Sequence, residues 1–191
     1  MKKKNKIIVL IQARSNSKRF YNKVLNNVYG YPLIYICYKR VLNSSRYKTI
    51  IATSNSPEDD LLVNYLKKKK FSYKRGNLEN VLKRFVDLTK NLKDNDILIR
   101  LTADNPLVDK FFLKKCIHYY LKNDLNYFSA HDNVFNTPYG LNAELFRVKH
   151  LRKVYKSRYS EKDKEHVTYS IRKKYLKKEL KFNFGISKKF K

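Results

Sequence analysis

The feature that most constrains the fold is an alternation of short apolar runs with longer segments of helical periodicity. Residues 7–12 form the first run, which is typical of a strand buried on both faces. Later runs occupy residues 47–52, 71–74, 96–102, 125–130 and 141–146. Helical spacing of apolar residues occurs in 33–42, 57–67, 78–92, 107–121, 149–156 and 161–174. This order predicts an α/β domain with a mostly parallel sheet flanked by helices.

Length and composition favour a single folded domain. The chain has 191 residues, of which 42% are hydrophobic, so we predict one domain over 1–191 with a basic tail at about 175–191. No apolar run approaches the roughly 20 residues that cross a bilayer, which predicts no membrane span. Cys37 and Cys116 each lie in an apolar, helix-like segment, which indicates buried thiols and a cytoplasmic protein.

The chain is strongly basic, with 44 Lys and Arg against 16 Asp and Glu and a formal charge of +28. Such a charge attracts nucleic acids. However, the lysines are spread along the whole chain, together with abundant Asn, Ile and Tyr, as expected from an AT-rich genome. The chain also lacks a recognised DNA- or RNA-binding motif. We therefore rank nucleic-acid binding lowest, although the charge favours anionic ligands in general.

Polar loops follow the predicted strands, and ligands of parallel sheets bind at the carboxyl ends of the strands. The first loop, residues 13–23, carries four cations and two small hydroxyls. Hydroxyl, guanidinium and backbone N–H donors in one loop can hold a triphosphate. A solvated basic loop is the alternative interpretation. The loop lacks the glycine pattern and the Gly-Lys-Ser/Thr ending of a P-loop.

A second loop, residues 103–109, contains a carboxylate directly after a buried strand. Asp104 is placed to hold Mg²⁺ against a nucleotide phosphate. Its alternative role is that of a turn residue, because Asp-Asn-Pro is a strong turn sequence. Asp109 is more simply interpreted as a helix N-cap.

Six motifs occur in a defined order along residues 7–172. They are Ile11-Gln12-Ala13-Arg14 with Ser17 and Arg19, Ala52-Thr53-Ser54, Arg75-Gly76, Arg100-Leu101-Thr102 with Asp104, Tyr139-Gly140-Leu141 with Glu144, and Glu165-His166-Val167-Thr168. In this order the chain resembles the spore-coat-polysaccharide type of cytidylyltransferase, a relative of the CMP-sialic-acid and CMP-Kdo synthetases. The resemblance implies a Rossmann-like nucleotidyltransferase fold. It also implies that a sugar or sugar-acid hydroxyl attacks the α-phosphate of CTP and expels pyrophosphate, in surface polysaccharide or glycan biosynthesis.

The resemblance assigns roles to individual residues. It implies that the triphosphate is bound by Arg14, Ser17, Arg19 and Lys23, and the rest of the nucleotide by Thr53, Ser54, Arg75 and Arg100. Asp104 would bind Mg²⁺, and Arg14, Lys23 and Asp104 would act in catalysis. The acceptor sugar would lie near Tyr139, Glu144, Glu165 and His166. His166 is a candidate general base, but we favour a structural role for it.

The sequence departs from the family pattern at three places. Asn16 and Phe20-Tyr21-Asn22 replace a usual Gly and Leu-Pro-Gly, and Asn142 replaces an Asp. An acidic Thr-Val-Asp-type motif, expected beyond the helix near Lys174, has no visible counterpart before Lys191. These departures leave three alternatives open: a truncated or degenerate member, such as an inactive relative that binds a nucleotide or a partner; a homodimer that completes the site; and a site that uses one metal with fewer protein ligands. An enzyme of the same class with another nucleotide or acceptor is a further alternative.

Overall fold

A computed structural model describes residues 5–15, 22–42, 46–130, 137–138 and 140–176. Its main sheet contains six strands in the order β5-β4-β1-β6-β8-β7. These are β1 (Ile7–Gln12), β4 (Lys48–Ser54), β5 (Tyr73–Gly76), β6 (Ile97–Thr102), β7 (Tyr127–Ser129) and β8 (Glu144–Arg147). β5, β4, β1 and β6 are parallel, whereas β8 and β7 are antiparallel to their neighbours. The predicted α/β class with a mostly parallel sheet is confirmed.

Helices cover both faces of the sheet. They are α1 (Leu33–Val41), α2 (Asp60–Lys68), α3 (Val81–Leu88), α4 (Lys110–Lys122), α5 (Val148–Lys156), α6 (Glu161–His166) and α7 (Tyr169–Tyr175). Val9 and Ile11 of β1 belong to one hydrophobic core, shared with α1, α2 and α4, while Leu10 belongs to a second core with α3, α5 and α7. Because successive strand residues point to opposite faces, β1 needs apolar residues at every position. This explains its uninterrupted apolar run.

The predicted N-cap at Asp109 and the predicted buried thiols are confirmed, and Ser56 provides a further cap. The Asp109 carboxylate accepts a hydrogen bond from the Phe112 amide at 2.7 Å and caps α4. The Ser56 side chain accepts from the Glu58 amide and begins a short 3-10 turn that leads into α2. Cys37 and Cys116 are buried free thiols, as expected. Among the described helices, none has the length and hydropathy to cross a membrane.

The prediction of one continuous helix over 161–174 is wrong, because the chain breaks at Val167. This buried valine has φ 60° and ψ −48°, and the Thr168 amide donates to the His166 carbonyl at 2.5 Å. The turn resembles the strained γ-turn, which is rare for a β-branched residue. The break lets Val167 enter the second core while Thr168 reaches Glu144. Tertiary contacts therefore override helical periodicity here.

The sequence analysis also missed a small hairpin after the first loop. β2 (Asn27–Val28) pairs with β3 (Tyr31–Pro32), and the two turn residues, Tyr29 and Gly30, both have positive φ. Only Gly30 signals such a turn in the sequence. The hairpin directly precedes α1 and follows a 3-10 turn at Lys23–Leu25.

Candidate functional site

The carboxyl ends of four parallel strands meet at one edge of the sheet. Gln12, at the end of β1, is in register with Ala52 on β4 and with Thr102 on β6. On β4, Ser54 is in register with Gly76 at the end of β5. The loops that follow these strands therefore share one edge, where ligands of parallel sheets bind.

Two of the three predicted catalytic residues meet at this edge. The Lys23 Nζ lies 3.5 Å from the Asp104 Oδ2, and the side chains are 42% and 52% exposed. The Asp104 Oδ1 accepts hydrogen bonds from the Thr102 hydroxyl at 2.5 Å and from the side-chain Nδ2 of Asn105 at 3.2 Å. Because the ion pair is half exposed, water screens it and a charged ligand can exchange with either partner.

A buried thiol lies near this ion pair. Cys37 of α1 is buried, and its thiol donates to the carbonyl of Ala103, the residue before Asp104, at 3.4 Å. Burial, and after it the nearby Asp104 charge, raises the pKa of Cys37 to about 12, against the opposing effect of Arg40 and Lys23. The thiol is thus protonated at neutral pH and acts as packing, while Asp104 stands at the solvent side.

The first loop is tied to the sheet by a buried carboxylate, Asp59, which is 1% exposed. Its Oδ1 accepts from the Ser15 amide at 2.6 Å. Its Oδ2 accepts from the Thr53 hydroxyl at 3.0 Å, from the Ser54 amide at 3.1 Å and from the Ser54 hydroxyl. The Asn22 amide donates to the Ser15 carbonyl at 2.9 Å, which joins the two ends of the loop.

Three side chains that are predicted to contact the nucleotide hydrogen-bond to groups of the protein: Thr53, Ser54 and Arg75. The hydroxyls of Thr53 and Ser54 bond to Asp59. The Arg75 guanidinium donates to the carbonyls of Ser54 and Ser56 at 2.8 Å each, and lies 2.7 Å from the Asp60 carboxylate. These side chains shape the loop after β4. Their contact with a nucleotide stays a prediction.

Arg84 of α3 lies fully buried behind this loop. Its guanidinium donates to the carbonyls of Ala52, Asn77 and Leu78. Burial lowers the pKa of Arg84 to about 10, and the Asp59 charge partly opposes that shift. A Cβ at Gly76 would lie 2.7 Å from the Arg84 Cγ. Glycine at this position therefore leaves room for the Arg84 side chain.

Glu144 of β8 is the centre of a second buried network. Its carboxylate accepts from the Arg100 guanidinium, from the Tyr127 hydroxyl at 2.5 Å and from the Thr168 hydroxyl at 2.7 Å. Arg100 also donates to the Gln12 Oε1 at 2.9 Å. Burial raises the pKa of Glu144, but Arg100 and the two hydroxyls outweigh it, so the net pKa is lowered. Glu144 is therefore ionised, and its predicted contact with the acceptor is untested.

The remaining predicted residues fall into two groups. Arg14 is exposed at the start of the first loop, and Glu165 and His166 are exposed on α6. Ser17, Arg19 and Tyr139 lie outside the described residues. Within the described part of the chain, no group of three or more His, Cys, Asp or Glu could hold a metal ion. A metal at this edge would depend on Asp104 and on oxygens of the ligand.

The buried side chains that hydrogen-bond to the site residues, Asp59, Tyr127 and Thr168, were not predicted from the sequence as part of the site. Asp59 lies in Ser-Pro-Glu-Asp-Asp, a strong helix start, and this context favours the role of a first-turn helix acid. The available signal was the pair of hydroxyl residues, Thr53 and Ser54, at the end of an apolar strand, since buried hydroxyls need partners. Tyr127 and Thr168 carried no comparable signal.

This fold and this strand edge define an α/β domain of the nucleotidyltransferase type. A family model described as cytidylyltransferase matches residues 8–189, and the chain belongs to that family. It is 35% identical over 176 residues to the spore coat polysaccharide biosynthesis protein SpsF of Bacillus subtilis, covering 88% of this chain and 70% of that protein. It is 34% identical over 164 residues to the uncharacterized protein MJ1063 of Methanocaldococcus jannaschii, covering 85% of this chain. That alignment spans 65% of the archaeal protein.

Solved structures show the same fold. A cytidylyltransferase from Leptospira borgpetersenii matches with a TM-score of 0.79 and 24% identity, over 90% of this chain and 72% of that one. The CMP:2-keto-3-deoxy-manno-octonic acid synthetase, solved in complex with CTP, matches with a TM-score of 0.63 and 16% identity, over 88% of this chain and 85% of that one. The expected Rossmann-like nucleotidyltransferase fold is confirmed.

Proposed function

We propose that this chain transfers CMP from CTP to the hydroxyl of a sugar or sugar acid and releases pyrophosphate. The observation that carries the proposal is the half-exposed Lys23–Asp104 pair at the carboxyl edge of the sheet, in a chain of the cytidylyltransferase family. The similarity to a spore coat polysaccharide biosynthesis protein supports a role in making surface polysaccharide. Buried free thiols support a reducing, cytoplasmic location.

The chain's own residues would act mainly by binding and alignment. Lys23 and Arg14 would neutralise charge on the triphosphate and on the departing pyrophosphate, since phosphoryl transfer is catalysed chiefly by positioning and electrostatics. In the proposal, Lys23 exchanges its Asp104 partner for phosphate oxygens when CTP binds. The hydroxyl of the acceptor would approach the α-phosphorus in line with the leaving group.

Asp104 fits a Mg²⁺ ion that is shared with the nucleotide. Its Oδ2 is bonded only through the ion pair with Lys23 among the described residues, and the carboxylate is half exposed. Mg²⁺ commonly takes one or two protein carboxylates and completes its shell with phosphates and water. When bound, the ion would offset negative charge on the phosphates. A second protein ligand is not required for this role.

The proposal is tested first by binding. Calorimetric titration with CTP and Mg²⁺ is expected to give saturable binding to the native chain, and Lys23→Ala and Asp104→Ala are expected to weaken it at least about tenfold. Asp109→Asn is the matched control, because it removes a carboxylate five residues away while Asn still caps α4. Unchanged affinity in Asp104→Ala would contradict the assigned role of Asp104.

A pyrophosphate-release assay separates the proposal from its rival, an inactive relative that only binds nucleotide. The rival predicts that CTP binds but releases no pyrophosphate in the presence of any acceptor. An acceptor-dependent release of pyrophosphate would exclude it. Retained binding of duplex DNA at high salt, without CTP binding, would instead favour the nucleic-acid hypothesis.

A further inference from the structure

The end of β1 departs from regular strand pairing at Ser15. The Ala13 amide donates to the Ala52 carbonyl of β4 at 3.1 Å, so the next amide in a parallel ladder, that of Ser15, would be expected to bond to the Ser54 carbonyl. The Ser54 carbonyl instead accepts from the Arg75 Nε at 2.8 Å. The Ser15 amide bonds to the Asp59 carboxylate at 2.6 Å. The Asp59 carboxylate thus takes the place of the Ser54 carbonyl as the acceptor for the Ser15 amide.

One carboxylate consequently joins two segments, the first loop and the end of β4, to the 3-10 turn that precedes α2. The Asp59 carboxylate accepts four hydrogen bonds. One comes from Ser15 in the first loop, and three come from Thr53 and Ser54 at the end of β4. The fully buried Arg84 supplies a nearby positive charge and is itself held by three carbonyls. A buried carboxylate is stable only when it is paired or fully hydrogen-bonded, and the four hydrogen bonds of Asp59 meet the second condition.

Closure of the loop adds to this constraint. The Asn22 amide donates to the Ser15 carbonyl, so both ends of the segment between them are fixed at Ser15. Lys23, the next residue, carries the ammonium that contacts Asp104. Fixing Ser15 therefore fixes the backbone next to Arg14 and, through the Asn22 amide, the backbone next to Lys23. Asp59 is 1% exposed and cannot itself reach a ligand.

We propose that Asp59 is a positioning residue for triphosphate binding, which acts by holding the Ser15 amide and hence the base of the first loop. This inference rests on the proposed function. Loss of the Asp59 carboxylate would release Ser15 from the end of β4. Arg14 and Lys23 would then keep their charge but lose their position relative to the triphosphate. Misplacement by about 1 Å can cost a large factor in an active site.

The test compares two buried carboxylates in the full chain. Asp59→Asn is expected to raise the Kd for CTP with Mg²⁺ by about tenfold or more, because an amide cannot accept on both sides. Asp163→Asn is the matched control. Asp163 is also 1% exposed and accepts four hydrogen bonds, from Ser160 and Ser170, but it joins α6 to α7 and not the first loop.

Both variants are expected to lower the Tm, and only Asp59→Asn is expected to weaken CTP binding when titrated well below both Tm values. Equal Kd values for native chain and Asp59→Asn would overturn the inference alone. Absence of CTP binding by the native chain would overturn the proposed function and this inference with it. A loss of affinity in Asp163→Asn equal to that in Asp59→Asn would show a general effect of destabilisation and would also overturn the inference.

A measurement on the native chain covers the case in which Asp59→Asn does not fold. The Ser15 amide is expected to exchange its hydrogen slowly, as a strand amide does, although no strand carbonyl accepts from it. Adding CTP and Mg²⁺ is expected to slow that exchange further. Exchange at the rate of an unstructured amide, or no change on adding CTP, would overturn the inference.

Discussion

Replacing Glu144 by Gln tests whether the second buried network supports the fold or contacts a ligand. The substitution keeps the shape and removes the charge, which leaves the Arg100 guanidinium without its anion at a side chain only 12% exposed. Removing one member of a buried ion pair costs about 3 to 5 kcal/mol. Gln keeps one acceptor for Arg100, Tyr127 or Thr168. We therefore expect the lower end, about 3 kcal/mol.

Urea unfolding at pH 7.5 measures this loss as a lower midpoint with an unchanged slope. Glu161→Gln is the control, since Glu161 makes an exposed ion pair with Lys164, and we expect no measurable change there. A midpoint for Glu144→Gln equal to that of the native chain would refute the structural role. If stability were unchanged and only turnover fell, Glu144 would act on the acceptor, as the family resemblance implies.

Three further predictions concern buried groups. Burial, followed by Lys149 and other cations, lowers the pKa of His150 to about 4, so the unfolded chain binds its proton first as pH falls. Stability should drop by about 2 kcal/mol between pH 7 and pH 5, and His150→Gln should remove that part of the pH dependence. Gly76→Ala should destabilise the chain by about 1 to 3 kcal/mol in urea unfolding, because its Cβ would overlap the buried Arg84; a neutral result would show that Arg84 can move. Neither Cys37 nor Cys116 should react with a thiol reagent at pH 8 until the chain is unfolded, because burial raises both pKa values; rapid labelling of the native chain would contradict this.

The sequence predicted the sheet because its strands are buried on both faces. Residues 7–11 form a continuous apolar run, and 97–101 form a second run that only Arg100 interrupts; they lie in β1 and β6. The helix starts at Ser56 and Asp109 were also predictable, because capping depends on near neighbours. Such features are local in sequence or follow from burial alone.

What could not be predicted depends on distant contacts. Helical periodicity continues through Val167, yet the chain breaks there because the valine packs in the second core and Thr168 bonds to Glu144. Asp59 is 44 residues from Ser15 in sequence, and its helix-start context concealed its role. Among the predicted site residues, the meeting of Lys23 and Asp104 follows from strand order, since β1 and β6 are neighbours.

Pyrophosphate release is the direct test of CMP transfer by this chain. The native chain, CTP and Mg²⁺ are incubated with each of a panel of nonulosonic and other sugar acids, and pyrophosphate is measured with a coupled assay. We expect pyrophosphate release that requires both CTP and one class of acceptor, and that is lost in Asp104→Ala but retained in Asp109→Asn. No release with any acceptor, together with no thermal shift on adding CTP, would contradict this expectation.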